Sequence, residues 1–181
     1  VKALEAGVEP SKISLNERVI GIDIDAKVAQ TNKREIRYDQ LVSSMPMNKL
    51  LKLAKVEHDP AIYSYNKVLV FNLGFDRKGP EGIHWVYYPS REISFYRIGF
   101  YDNIFGTDRM SMYVEIGYPA DAVITDADVL EARERVLRDL SRVGVVQEHE
   151  LVSWHSIVLD PAYVHITGDS VTAVDQVKAE L

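Results

Sequence analysis

Apolar and polar residues alternate along several segments of the chain, and this pattern predicts more strands than helices. Near the start, residues 19–24, 28–32 and 35–44 are separated by polar turns and are typical of a small antiparallel meander. Residues 66–75 form a longer apolar segment with the length and composition of a central strand. Further strands are predicted at residues 110–118, 151–158 and 161–166.

Helical spacing of apolar residues is clearest between Thr125 and Gly144. A hydroxyl followed by acidic residues is typical of a helix start, and glycine of a helix end. Helices are also predicted at residues 47–54 and 170–181, and residues 2–7 are typical of the last turns of another. The predicted fold is therefore α+β. It has a mainly antiparallel sheet of about six strands with helices on one face, preceded by the small β-meander.

An aromatic hairpin is predicted at residues 84–101, where two strand-like halves flank a polar turn. The period of two places Phe95, Arg97 and Gly99 on one face of the second strand, and presents Tyr87 from the first. A guanidinium and phenols on a sheet suit a flat or anionic ligand. The alternative is an amphipathic hairpin whose arginine merely faces solvent.

Arg97 lies within an apolar strand, so it needs an acceptor if its face is covered. A buried ion pair between Arg97 and Glu115, or another carboxylate, would favour a structural role for the arginine. A cleft that leaves its donors accessible would favour ligand binding.

Composition narrows the classes of partner. The 181 residues carry a net charge of −6, which argues against nucleic acid and anionic membrane surfaces as partners. The length fits one domain, or one domain plus part of another. No cysteine is present and no apolar run approaches membrane-spanning length, so a cytoplasmic protein is expected. The sequence leaves the oligomeric state open.

Self-contained catalytic motifs are not found. The sequence contains no GxGxxG, P-loop, HExxH or GxSxG motif, and its five histidines lack the spacing of metal ligands on one helix. Helix capping and turn formation explain the carboxylate clusters. We therefore predict no catalytic side chain and no metal site within the chain.

Two segments, NERVIGID at residues 16–23 and YDQLVSSMP at residues 38–46, resemble the flavin-containing amine oxidases and their relatives. In that family the first strand lies beside the adenine of FAD, and the second leads into the substrate domain. The resemblance implies FAD as cofactor of the intact protein, with Val19 as a cofactor-binding residue through its backbone. It further implies an FAD-domain remnant at residues 1–46 and a substrate-binding domain at residues 47–181.

The hairpin, with its WVYYP and FYR segments, resembles the UDP-galactopyranose mutase branch of this family. There the residues that match Tyr87 and Arg97 contact the diphosphate of the sugar nucleotide. Tyr163, in the segment PAYV, is similar in position to another diphosphate tyrosine. The resemblance thus implies Tyr87, Arg97 and Tyr163 as substrate-binding residues and a nucleotide sugar as ligand.

The resemblance covers nearly the whole chain but only the middle and late part of the family's sequence. We therefore expect a part of a longer FAD-dependent isomerase or oxidoreductase, one that neither retains FAD nor turns over substrate alone. One alternative is the substrate domain of an amine, protoporphyrinogen or carotenoid oxidoreductase, which would hold an apolar substrate. Another is a non-catalytic ligand- or protein-binding module whose hairpin is an interface.

Overall fold

The computed structural model describes residues 7–180, with side chains to residue 178, and these residues form two compact units. The first unit comprises residues 7–63 and 167–180, and the second comprises residues 64–166. The expected helix end at residues 2–7 lies outside the described residues, apart from Gly7.

The strands are β1 (Val19–Asp23), β2 (Val28–Thr31), β3 (Glu35–Arg37), β4 (Tyr65–Phe75), β5 (Trp85–Tyr87), β6 (Arg97–Phe100), β7 (Ser111–Pro119) and β8 (Leu151–Val164). The helices are α1 (Met47–Leu53), α2 (Tyr101–Phe105), α3 (Asp126–Arg142) and α4 (Gly168–Glu180), and a 3-10 turn spans Pro10–Lys12. None of the helices described is long and apolar enough to cross a membrane.

The first unit contains the predicted meander, in the strand order β1-β2-β3. Its small core joins the two helices of the unit through Leu51 and Val177, together with Tyr63. The prediction that the third strand reaches residue 44 is wrong, because β3 ends at Arg37. The apolar run that suggested a longer strand has no covered face to pack on, and Val42 is 95% exposed.

The second unit is a five-stranded antiparallel sheet in the order β5-β6-β7-β4-β8. Helix α3 packs on one face. The core residues between sheet and helix are Leu69, Phe71, Leu73, Phe75, Ile98, Phe100, Met112, Val114, Ile116, Ala132, Val136 and Leu140. The predicted α+β class is confirmed. The predicted strands at residues 151–158 and 161–166 prove to be a single strand, β8.

Helix α3 begins as its sequence predicts. The Thr125 hydroxyl accepts from the Asp128 amide, and the Asp128 carboxylate accepts from the Thr125 amide. The Thr125 hydroxyl also donates to the Asp128 carboxylate at 2.7 Å, and this hydrogen bond, together with the one from the Thr125 amide, holds the pKa of Asp128 below its usual range. Directly after the hairpin the chain forms the short helix α2, which ends at Gly106 with φ of 66°.

The structural division falls after residues 63 and 166, not after residue 46. The assignment of residues 1–46 to an FAD domain and of residues 47–181 to a substrate domain concerns function, and it stays a prediction.

Candidate functional site

The face of the five-stranded sheet opposite α3 carries polar and aromatic side chains around Arg97, and we call it the arginine face. Its position follows from strand register. Arg97 in β6 pairs directly with Tyr87 in β5 and with Glu115 in β7. Directly paired residues of antiparallel strands project from the same face, so these three side chains meet. Tyr163 joins them from β8, where it pairs with Asn66 of β4.

Arg97 contacts both predicted tyrosines. Its Nη2 donates to the Tyr163 hydroxyl at 2.6 Å, and its Nη1 donates to the Tyr87 hydroxyl at 3.3 Å. The structure therefore brings together all three predicted substrate-binding residues. Tyr87 and Tyr163 are 57% and 46% exposed, so both residues lie at an accessible surface.

Arg97 also forms an ion pair with Glu115, with 2.6 Å between Nη2 and Oε1. The side chains of the pair are 22% and 10% exposed, respectively. This is the arrangement that favours a structural role for the arginine, and it applies to the Nη2 edge of the guanidinium. The Nε atom is shielded from solvent and has no hydrogen-bond partner within the part of the chain described.

Four tyrosine rings surround the guanidinium, with their centroids 5.8 to 5.9 Å from its central carbon. They belong to Tyr87, Tyr96, Tyr113 and Tyr163. At this distance each ring offers the cation a weak attraction. Gly99 makes room for one of them, because a β-carbon at this position would overlap the Tyr113 ring.

The alternation of β6 does not extend back to Phe95, which was predicted to share a face with Arg97. Phe95 is instead buried in the core beneath α3. The strand begins only at Arg97, so the preceding residues are free to break the period. As a result Tyr96 reaches the arginine face, where its hydroxyl donates a very short hydrogen bond to Glu115 Oε2.

Hydrogen bonds and burial fix the protonation states of the side chains in this cluster. The hydrogen bond to Glu115 raises the pKa of Arg97. Burial raises the pKa values of Tyr96 and Tyr113, and the hydrogen bond to Glu115 adds to the effect at Tyr96. The arginine therefore stays protonated, and these two phenols stay neutral, throughout the working pH range of a protein.

Sequence reasoning named Glu115 only as a conceivable partner and did not place Tyr96 or Tyr113 in the site. The alternation in residues 110–118 does put Tyr113 and Glu115 on one face. The alternation does not reveal the strand register, which places these two residues opposite β6.

Val19, the predicted cofactor-binding residue, lies half-buried in β1 and pairs with Thr31 in the first unit. Its neighbours bond to one another: the Arg18 amide donates to Asn32 Oδ1 at 2.8 Å. These contacts leave at most an apolar side chain and a strand backbone to meet the edge of an adenine. They do not fit a whole FAD. Nor do the described residues contain a group of three or more histidine or acidic side chains placed to hold a metal ion.

The sequence pattern of the flavin containing amine oxidoreductase family matches residues 1–166. The chain belongs to this family. No curated protein sequence matches it significantly.

Among solved structures, reduced UDP-galactopyranose mutase is similar, with a TM-score of 0.72 and 22% identity over 90% of this chain. A protein from Exiguobacterium sp. 255-15, provisionally assigned as a protoporphyrinogen oxidase, also has a TM-score of 0.72, with 18% identity over 99% of this chain. A fatty acid isomerase from P. acnes that produces CLA has a TM-score of 0.56 at 18% identity, over 91% of this chain and 39% of its own. The chain spans only 38% and 43% of the first two proteins. At these identities the likeness establishes the fold.

Proposed function

We propose that the second unit is the substrate-binding part of an FAD-dependent enzyme, and that the arginine face binds the diphosphate of a nucleotide sugar. The observation that carries the proposal is the convergence of Tyr87, Arg97 and Tyr163, from three different strands, at one accessible surface. These are the residues that resemblance to the mutase branch singles out.

The direction of the hydrogen bonds supports the proposal. Both phenol oxygens accept from Arg97, so the proton of each hydroxyl is left to donate outward. A diphosphate oxygen at the surface would therefore meet two phenol donors and the nearby Nη1 group. Hydrogen bonds to an anion are stronger than neutral ones, and the rigid sheet avoids the entropic cost of ordering a loop.

Under this proposal the residues of the chain bind and orient the ligand. Arg97 and the two phenols would fix the diphosphate, which places the attached sugar for chemistry that belongs to the flavin of the intact enzyme.

A titration of the chain with UDP and with uridine tests the proposal. We expect UDP to bind more tightly than uridine, and the difference to shrink in the double variant Tyr87→Phe/Tyr163→Phe. Tyr38→Phe is the matched control, because Tyr38 donates to Asp23 in the first unit and lies outside the arginine face. Equal affinities for UDP and uridine would contradict the proposal.

A second candidate is favoured by the ion pair itself, since Glu115 balances the charge of Arg97. Apolar surface is also available on the same face, where Trp85 and Ile157 are each about half exposed. This combination suits an oxidoreductase that holds an apolar substrate against the sheet. Two results together would favour this candidate. The chain would fail to bind UDP, and it would bind a hydrophobic probe that the variant Trp85→Ser no longer binds.

A further inference from the structure

We infer that Glu115 sets how much negative charge the arginine face accepts in its ligand. Glu115 is a positioning residue, because it acts on a ligand through Arg97. The inference rests on the proposed function in one respect, namely that the ligand meets Arg97.

Neighbouring residues fix Glu115 through hydrogen bonds to both its side chain and its backbone. Its carboxylate accepts from Arg97 at Oε1 and from the Tyr96 hydroxyl at Oε2. Its backbone carbonyl accepts from the Tyr96 amide at 3.1 Å, and the residue lies in β7, inside the sheet. Each carboxylate oxygen therefore has a donor within the sheet, and these hydrogen bonds keep the carboxylate beside the guanidinium.

The contacts also decide which atoms of Arg97 a ligand can reach. The two protons of Nη2 are taken by Glu115 and Tyr163, and Nε is shielded from solvent. Among the described residues, Nη1 makes only the 3.3 Å hydrogen bond to Tyr87. A ligand anion would therefore meet Nη1 and the two phenol protons, with Glu115 on the opposite edge of the same guanidinium.

The ion pair as a whole carries no net charge, so the attraction of Arg97 for an anion is partly offset. A comparison with Arg142 and Glu92 shows why burial matters. That pair has the same 2.6 Å separation, but its side chains are mostly exposed, so water screens it. The buried carboxylate of Glu115 is screened much less, and its repulsion should extend to a bound anion.

The variant Glu115→Gln tests this inference, because it removes the charge and keeps the size and shape of the side chain. Its amide oxygen accepts from Arg97 in place of the carboxylate, and its NH2 group donates to the Tyr96 hydroxyl oxygen, which changes from donor to acceptor. Binding of uridine, UMP and UDP to the variant and to the parent chain would be measured by calorimetry. We expect the affinity for UDP to rise on the order of tenfold, the affinity for UMP to rise less, and that for uridine to stay unchanged. A merely structural role would change all three alike.

Glu92→Gln is the matched control, since it makes the same change in net charge on the same unit but in the exposed pair. It should leave all three affinities unchanged.

Equal affinities of Glu115→Gln and the parent chain for UDP would overturn the inference while leaving the proposed function in place. Conversely, pyrophosphate binding that strengthens in Glu115→Gln, with no UDP binding by the parent chain, would support the inference and contradict the nucleotide-sugar proposal. No binding of UDP or pyrophosphate by either protein would overturn both.

Should Glu115→Gln fail to fold, Tyr96→Phe gives a milder test of opposite sign. It removes the hydroxyl that shares the charge of Glu115, so the affinity for pyrophosphate should fall by roughly threefold, the loss of a weak hydrogen bond. Thermal melting checks that the variant is folded. Unchanged or tighter pyrophosphate binding by folded Tyr96→Phe would contradict the inference.

Discussion

The two faces of the five-stranded sheet come from the same strands but differ in the interactions that hold their side chains. The face under α3 is apolar, and its members are almost wholly buried. The arginine face holds a cation and a carboxylate that balance each other in charge, three phenols that hydrogen-bond to this pair, and the Tyr113 ring beside the guanidinium. Residues that maintain the fold therefore lie on one face of the sheet, and residues available for binding lie on the other.

The largest expected effect is on stability and comes from the core face. Phe71→Ala should lower the free energy of unfolding by about 3–5 kcal/mol, since it leaves a cavity beneath α3. Ile157→Ala changes the other face beside Val70, where the residue is about half exposed, and should cost about 1 kcal/mol or less. Urea unfolding of both variants measures the difference. Similar losses in the two variants would contradict the division between faces.

The next effect is on binding and comes from Arg97→Lys. An ammonium keeps the positive charge but cannot reach Glu115, Tyr87 and Tyr163 together, as the guanidinium does. UDP affinity should fall by about 1.5–3 kcal/mol. Calorimetry gives the affinity, and thermal melting reports any loss of fold. An undiminished affinity in this variant would remove the diphosphate role and leave the apolar-substrate candidate ahead.

A smaller effect on binding is expected from Tyr87→Phe. The change removes one neutral hydroxyl at an exposed position and leaves the ring, so UDP affinity should fall by roughly 0.5–1.5 kcal/mol. The same titration measures it, with Tyr38→Phe as the control. A loss as large as that of Arg97→Lys would mean that the phenol, not the guanidinium, is the main contact.

The smallest effect concerns pH and lies outside both faces, at the start of α3. Because the pKa of Asp128 is lowered in the folded chain, its contribution to stability is present above the pKa of the unfolded chain. It is lost as pH falls through the lower, folded value. Thr125→Ala removes the hydrogen bond that is the main cause of the shift, so it should flatten the acid limb of a plot of melting temperature against pH. An unaltered acid limb would show that the cap does not stabilise the helix in this way.

Sequence reasoning succeeded best where one physical signal determined the structure. The apolar run of β4 and the capped, periodic α3 could be predicted because burial sets their patterns directly. Residues 40–44 show the limit, since an apolar run predicts a strand only if another strand or a core covers it. The Arg97 cluster shows another limit, because the pairing of β6 with β7 is a tertiary property that periodicity within each strand does not encode.

The most direct test of the central claim is a crystal structure of the chain with UDP. We predict diphosphate oxygens within hydrogen-bond distance of the Tyr87 and Tyr163 hydroxyls and of Arg97 Nη1, with the ion pair to Glu115 intact. A diphosphate bound elsewhere, with the arginine face empty at saturating UDP, would contradict it.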